Sequence, residues 1–171
     1  MDTEELRATQ APLKDKYREH PASALVTLHA DAALDGLGIS CKVDTGRAVV
    51  EAGLHPATGG DPTLACSGDM LLEALVACAG VTLRAVATSL GLDVRGGRVR
   101  AENDLDFRGT LAVAKDAPVG FRAIRLAFDL DTDASEEQLA TLKKLTERYC
   151  VVFQSLRTPP EFAVTLSAAQ G

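Results

Sequence analysis

Apolar and polar positions follow three different rhythms along this chain. From 121 to 131 the alternation is strict, with Ile124, Leu126, Phe128 and Leu130 on one side and Arg125, Asp129 and Asp131 on the other. That two-residue period predicts a half-exposed strand. Between 69 and 90 apolar residues recur on nearly every side of a helical wheel, which predicts a helix buried on most faces. Ser67 suits its N-cap, Asp69 the positive end of its dipole and Gly91 the position just past its end. A second helix opens with Ser135 and Gln138, the spacing of a capping box, and runs over 136–149 with Leu139, Leu142, Leu145 and Tyr149 as its apolar stripe.

The remaining segments have weaker patterns. Residues 3–19 are polar and helix-prone, with Leu13 and Tyr17 four apart and Pro12 expected to break the helix. Strands are expected near 24–30, 38–43 and 47–54, the last two joined by the turn Asp44-Thr45-Gly46. Pro56, Gly59, Gly60, Pro62 and Gly68 make 55–68 a loop. Residues 92–114 read as a hairpin or two long strands, bent at Gly96-Gly97 and Arg108-Gly109. Pro159-Pro160 precedes a final strand over 162–166. The order is that of an α+β protein with mainly antiparallel pairing.

A chain of 171 residues, 46% apolar and 25% charged, is expected to form a single domain over residues 1–171. Its net charge of −6 argues against a nucleic-acid partner, which requires a basic face. The start, Met1-Asp2-Thr3-Glu4-Glu5, is acidic where a secretory leader is basic. The longest uncharged run, between Glu19 and Asp31, is shorter than the ~20 residues of a membrane span. The expectation is a cytoplasmic protein without a membrane partner, whose cysteines are thiols.

The cysteines are Cys41, Cys66, Cys78 and Cys150, with no C-x-x-C pair, and the histidines, His20, His29 and His55, are scattered. A metal site would need ligands from four remote places. A cysteine in an apolar setting is most often a small core residue. Cys41, on a strand, and Cys66, in a loop, are read that way. Cys78 differs in its surround: Ala77, Ala79 and Gly80 leave room for a substrate or another chain beside the thiol.

The stretch LLEALVACAGVTLRAVATSLGLDV resembles the central helix of the OsmC/Ohr family (osmotically inducible protein C and organic hydroperoxide resistance protein). LTERYCVVFQSL resembles the family's second cysteine motif, and GLHPATGGD its approach to the central helix. QAPLKDKYREHPASALVTL resembles an N-terminal extension of one branch, expected here as a helical piece over 1–22. The resemblance implies an OsmC-like fold: a curved antiparallel sheet with two long central helices, in an intertwined homodimer with its active sites at the subunit interface. It also implies a thiol peroxidase that needs no metal or organic cofactor. One cysteine attacks a peroxide and becomes a sulfenic acid, the other condenses with it, and an external dithiol reduces the disulfide.

On this reading Cys78 attacks, Cys150 resolves, and the apolar surround of Cys78 selects organic hydroperoxides. The family's cation beside the first cysteine maps best onto Arg47, ahead of Arg84, which lies well along the helix. The family's Pro-Glu before the helix is replaced here by Ser67-Gly68, and Asp69, one position on, is the candidate substitute for the Glu. Val151 stands where the family has Pro. These departures leave a second reading, a small-molecule binding module on the same fold with weak or lost catalysis. A third, a Cys–His hydrolase using His29 or His55, has no visible partner for either histidine.

Overall fold

The computed structural model describes residues 3–33, 42–43 and 52–165. In chain order the elements are α1 (Thr3–Glu19), β1 (Leu25–Ala33), β2 (Lys42–Val43), β3 (Ala52–Gly53), β4 (Ala65–Cys66), α2 (Ser67–Ser89), β5 (Val94–Asp106), α3 (Phe107–Thr110), β6 (Ile124–Thr132), α4 (Glu136–Tyr149) and α5 (Val151–Arg157). Among the described residues one sheet runs β2-β1-β5-β6, antiparallel throughout. A second, small pairing joins β3 and β4 in parallel. Most of the expected strands over 38–43 and 47–54 lie outside the described residues.

The sheet is covered by α2. One face of this helix (Leu72, Val76, Ala79, Leu83 and Val86, all buried) meets Val99, Ala101 and Leu105 of β5. It packs against α4 and α5 as well. Contact with a sheet and two helices explains why α2 is apolar nearly all round. It is also long and apolar enough to cross a membrane by length and composition, although half of that surface is buried inside the protein. Truncating Leu72 or Leu75 to Ala would cost about 2–5 kcal/mol through the cavity left behind.

Helix ends follow the sequence closely in two places. Ser135 accepts from the Gln138 amide at 3.3 Å while the Gln138 side chain accepts from the Ser135 amide at 2.9 Å, the reciprocal capping box. Gly91, at φ 67°, ends α2 in the left-handed region that glycine adopts without strain. The N-cap of α2 is Cys66, one residue earlier than expected, and its side chain makes no capping bond.

Five local expectations are corrected. α1 continues through Pro12. Ala8 and Pro12 are both exposed, so water can satisfy the carbonyl that loses its donor. Residues 94–106 form one strand, not a hairpin: Gly96 and Gly97 pair in register with Asp131 and Leu130 of β6, and the one register shift falls at Arg95, between Val94 and Gly96. Gly97 sits at φ 148°, where a Cβ would lie 2.3 Å from the Asp129 carbonyl oxygen. Arg108-Gly109 belongs to α3, which follows β5 directly. Tyr149 is 56% exposed, and Thr146 takes its place on the buried face of α4. Residues 162–165 form no strand; among the described residues no strand offers them backbone partners. α1 itself is pinned by Tyr17, which is 2% exposed and donates to the Ala57 carbonyl at 2.6 Å.

Candidate functional site

Cys78 lies midway along α2, half-buried, and Cys150 is 1% exposed at the break between α4 and α5. Seventy-two positions separate them in sequence, yet the packing of α4 and α5 on α2 brings the two free thiols within hydrogen-bonding reach. Cys150 is both the last residue of one cap and the first of the next. Its extended backbone (φ −71°, ψ 107°) ends α4 and starts α5 in a new direction.

That change of direction matters because the first amides of a helix have no carbonyl partner within it. In α5 the Val151 and Val152 amides donate to the Cys78 sulfur, and the Phe153 amide donates to Cys150 Sγ at 3.5 Å. The Thr82 hydroxyl, one turn along α2, donates to Cys78 as well. Cys150 supplies a further donor, its own S–H.

The two thiols are driven apart electrostatically. Burial pushes Cys78 up, but the donors from Val152, Cys150, Val151 and Thr82 outweigh it and hold the thiol below its ordinary value. Burial pushes Cys150 up to about 11, reinforced by its bond to Cys78 and by the charge Cys78 carries, with the Phe153 and Val152 amides opposing. The pair therefore titrates as one thiolate and one thiol, with the thiolate on Cys78. Such a pair supplies a nucleophile and an adjacent proton donor.

Among the described residues the groups holding Cys78 are amides, a hydroxyl and a thiol; no Lys or Arg is one of them. Arg47 lies outside the described residues, as does Cys41. Arg84 is buried and turned to the Val94 carbonyl at 2.6 Å, away from the thiol pair. Asp69 stands in the first turn of α2, nine residues and so roughly 13 Å along the axis from Cys78. Its charge acts on His55.

His55 belongs to this other end of α2. Its ring stacks on Phe107 at 4.8 Å and its Nδ1 accepts from the Ala57 amide at 3.0 Å, which leaves the proton on Nε2. Burial lowers its pKa and Asp69 partly restores it. No bond connects His55 to Cys78 or Cys150, and the side chain of His29 lies outside the described residues. Cys66, read from sequence as a loop residue, pairs with Gly53 at the start of α2 and is half-buried. No group of three His, Cys, Asp or Glu that could hold a metal occurs among the described residues.

A cleft of about 1310 Å³ is lined by β6, α4 and α5 and extends to the first half of α2, where His55 and Cys66 also line it. Leu126, Phe128 and Leu130 form one wall, Leu139, Phe153 and Leu156 the other. Phe153 is three residues from Cys150, so the cleft reaches to within one helical turn of the thiol pair. Sequence reasoning missed α5, Thr82 and the two valine amides. The only signal for Thr82 was its position one turn after Cys78.

A mixed fold with an antiparallel sheet, one long buried helix and two cysteines joined across it defines a recognisable class. The family model described as OsmC-like protein matches residues 60–165, and the chain belongs to that family. The fold is similar to that of an OsmC-like hydroperoxide resistance protein from Jannaschia sp. CCS1 (TM-score 0.61, 16% identity), over 86% of this chain and 97% of that one. No curated protein matches the chain in sequence.

Proposed function

We propose that this protein is a thiol-dependent peroxidase that reduces organic hydroperoxides through Cys78 and Cys150. The observation that carries the reading is the contact between the two thiols, with one held below its ordinary pKa and its partner pushed to about 11. The Cys78 thiolate attacks the terminal peroxide oxygen; an S–O bond forms, the O–O bond breaks, and the alkoxide leaves. Cys150, still protonated at neutral pH, gives that alkoxide its proton and becomes a thiolate. It then attacks the Cys78 sulfenic sulfur, forming the disulfide and expelling hydroxide, which leaves as water. An external dithiol restores both thiols by exchange.

The apolar cleft, which is lined by Phe153 three residues from Cys150, favours an alkyl peroxide over hydrogen peroxide. The likeness in fold to the Jannaschia hydroperoxide resistance protein is in keeping with this reading. The half-buried apolar wall of β6, together with exposed Val119 and Val151, supports assembly of two copies face to face over the cleft. Arg47 is the proposed cation near Cys78 and Asp69 its proposed support. A reducing cytoplasm suits a cycle that must regenerate free thiols.

The test is stoichiometric. One equivalent of tert-butyl hydroperoxide should remove two thiols and leave a Cys78–Cys150 disulfide within one subunit, seen by mass spectrometry of peptides. Loss of no thiols would replace this reading with the binding module, the cleft then serving as a ligand site.

A further inference from the structure

The change of direction at Cys150 is not dictated by the local chain. Between Glu136 and Arg157 there is neither proline nor glycine, so nothing covalent prevents α4 and α5 from running on as one helix. In such a helix the Val151, Val152 and Phe153 amides would donate to the carbonyls four residues back, at Glu147, Arg148 and Tyr149. Instead the first two donate to Cys78 and the third to Cys150 Sγ. Each carbonyl so released needs another donor, from water or from the protein. At Glu147 that donor is a side chain. Gln154 Nε2 donates to the Glu147 carbonyl at 2.6 Å, while the Gln154 backbone amide donates to the Cys150 carbonyl at 2.9 Å. Gln154 thus takes the acceptor that Val151 leaves, and it spans the break from α5 back to the last turn of α4.

We propose that Gln154 is a positioning residue for the thiol pair: its bridge to the Glu147 carbonyl holds the break at the angle that aims the Val151 and Val152 amides at the Cys78 sulfur. The inference rests on the thiolate reading of Cys78 above and names a residue on which that thiolate depends. Two arrangements compete over 147–154. In the bent one Val151 donates to sulfur and Gln154 to Glu147. In the continuous one Val151 donates to Glu147 and the Gln154 side chain turns to water. Glu147 and Gln154 are both half-buried, so without the side-chain donor the bent form leaves a carbonyl poorly satisfied. Packing on α2 holds α5 as a whole, and the bridge sets the direction of its first turn. Gln154 donates to neither sulfur; it acts through the backbone of α5.

The test is the pH profile of Cys78 alkylation by iodoacetamide, read by peptide mass spectrometry on the full chain. Wild type is compared with Gln154→Met, which keeps the length of the side chain and loses the donor, and with Gln154→Asn, which keeps the donor and loses the reach. Neither variant introduces a charge, and the titratable group facing Cys78 remains Cys150, a thiol at neutral pH. Both variants should move the Cys78 profile to higher pH and slow alkylation at neutral pH roughly five- to thirtyfold, the loss of one to two donors. Their thermal midpoints should stay within about 4 °C of wild type. A depressed wild-type profile matched by both variants would overturn the positioning role and leave the thiolate reading standing. A wild-type profile like that of a free cysteine would remove both. The wild type supplies a further check that does not depend on how the variants fold. In isotope-labelled protein, the Val151 and Val152 amide protons and one Gln154 side-chain amide proton should shift together as Cys78 titrates. A Gln154 signal that stays fixed while the two valines move would overturn the proposal.

Discussion

Cys66 and Cys78 stand twelve residues apart, Cys66 as the last residue of β4 and N-cap of α2 and Cys78 within that helix, and by position alone the helix dipole favours a thiolate at Cys66. It lies at the N-terminus of α2, with Ser67 and Asp69 following, where helix amides favour an anion. Cys78 sits in mid-helix, where the backbone amides of its own helix are already taken and only the Thr82 hydroxyl is on offer. The structure reverses the comparison. At Cys66 the side chain makes no capping bond, and the charge of Asp69 is directed to His55. At Cys78 the amides come from a different helix, α5, whose first turn faces the sulfur. A cysteine's reactivity follows the donors that tertiary packing aims at it, whichever element carries them.

The strongest test of that contrast is a pair of serine substitutions. Cys78→Ser should abolish peroxide-driven thiol loss, a fall of at least about a thousandfold for loss of the nucleophile, measured by thiol titration against tert-butyl hydroperoxide. Cys66→Ser should leave the rate within a factor of two. Equal losses in both would mean that the two cysteines share the chemistry.

Cys150→Ser should keep the first step and lose turnover. The variant should consume one equivalent, trap as a sulfenic acid reactive toward dimedone, and then over-oxidise. In the wild type, alkylation of Cys78 by iodoacetamide should persist below pH 8.5, where an ordinary thiol is mostly protonated. It should fall only as the pH drops through the depressed Cys78 value. Cys150, pushed to about 11, should resist alkylation until far above neutrality. The same shifts have opposite linkage signs. The Cys78 contribution to stability is present above its unfolded pKa and lost as pH falls through the folded one. The Cys150 contribution is present below its unfolded pKa and lost as pH rises towards 11.

Next in size are two substitutions that separate hydrogen bonding from charge. Thr82→Val removes one donor to Cys78, worth about 1 kcal/mol, and should slow alkylation at neutral pH roughly fivefold. Arg47→Ala should slow it further if Arg47 is the counter-ion; an unchanged rate would leave the amides and Thr82 as the whole of the activation. The smallest effect is expected at the other end of α2. Asp69→Asn should lower the His55 pKa, because the Asp69 carboxylate is what raises it, and a proton NMR titration of the imidazole would show this. A parallel slowing of Cys78 alkylation would place Asp69 in the thiol site after all.

Three elements were legible because their signals are local. The strict alternation of 124–131 gave β6, the Ser135–Gln138 box gave the start of α4, and an unbroken apolar helix ending at Gly91 gave α2. α5 was missed because Val151, Val152 and Phe153 have strand propensity and the helix is one of seven residues, held mainly by packing on α2. β5 was read as two strands because a glycine pair can mark a turn or lie within a paired strand, and the neighbouring strand decides which.

The candidate site divides in the same way. Cys78 and Cys150 were found from sequence, since cysteines are few and their motifs are colinear with a known family. What only the tertiary structure decided is that they meet, which amides reach them, and which of the two is the thiolate. Those properties depend on the docking of α4 and α5 on α2, and hydrogen bonds between residues seventy positions apart leave no periodic trace in the chain.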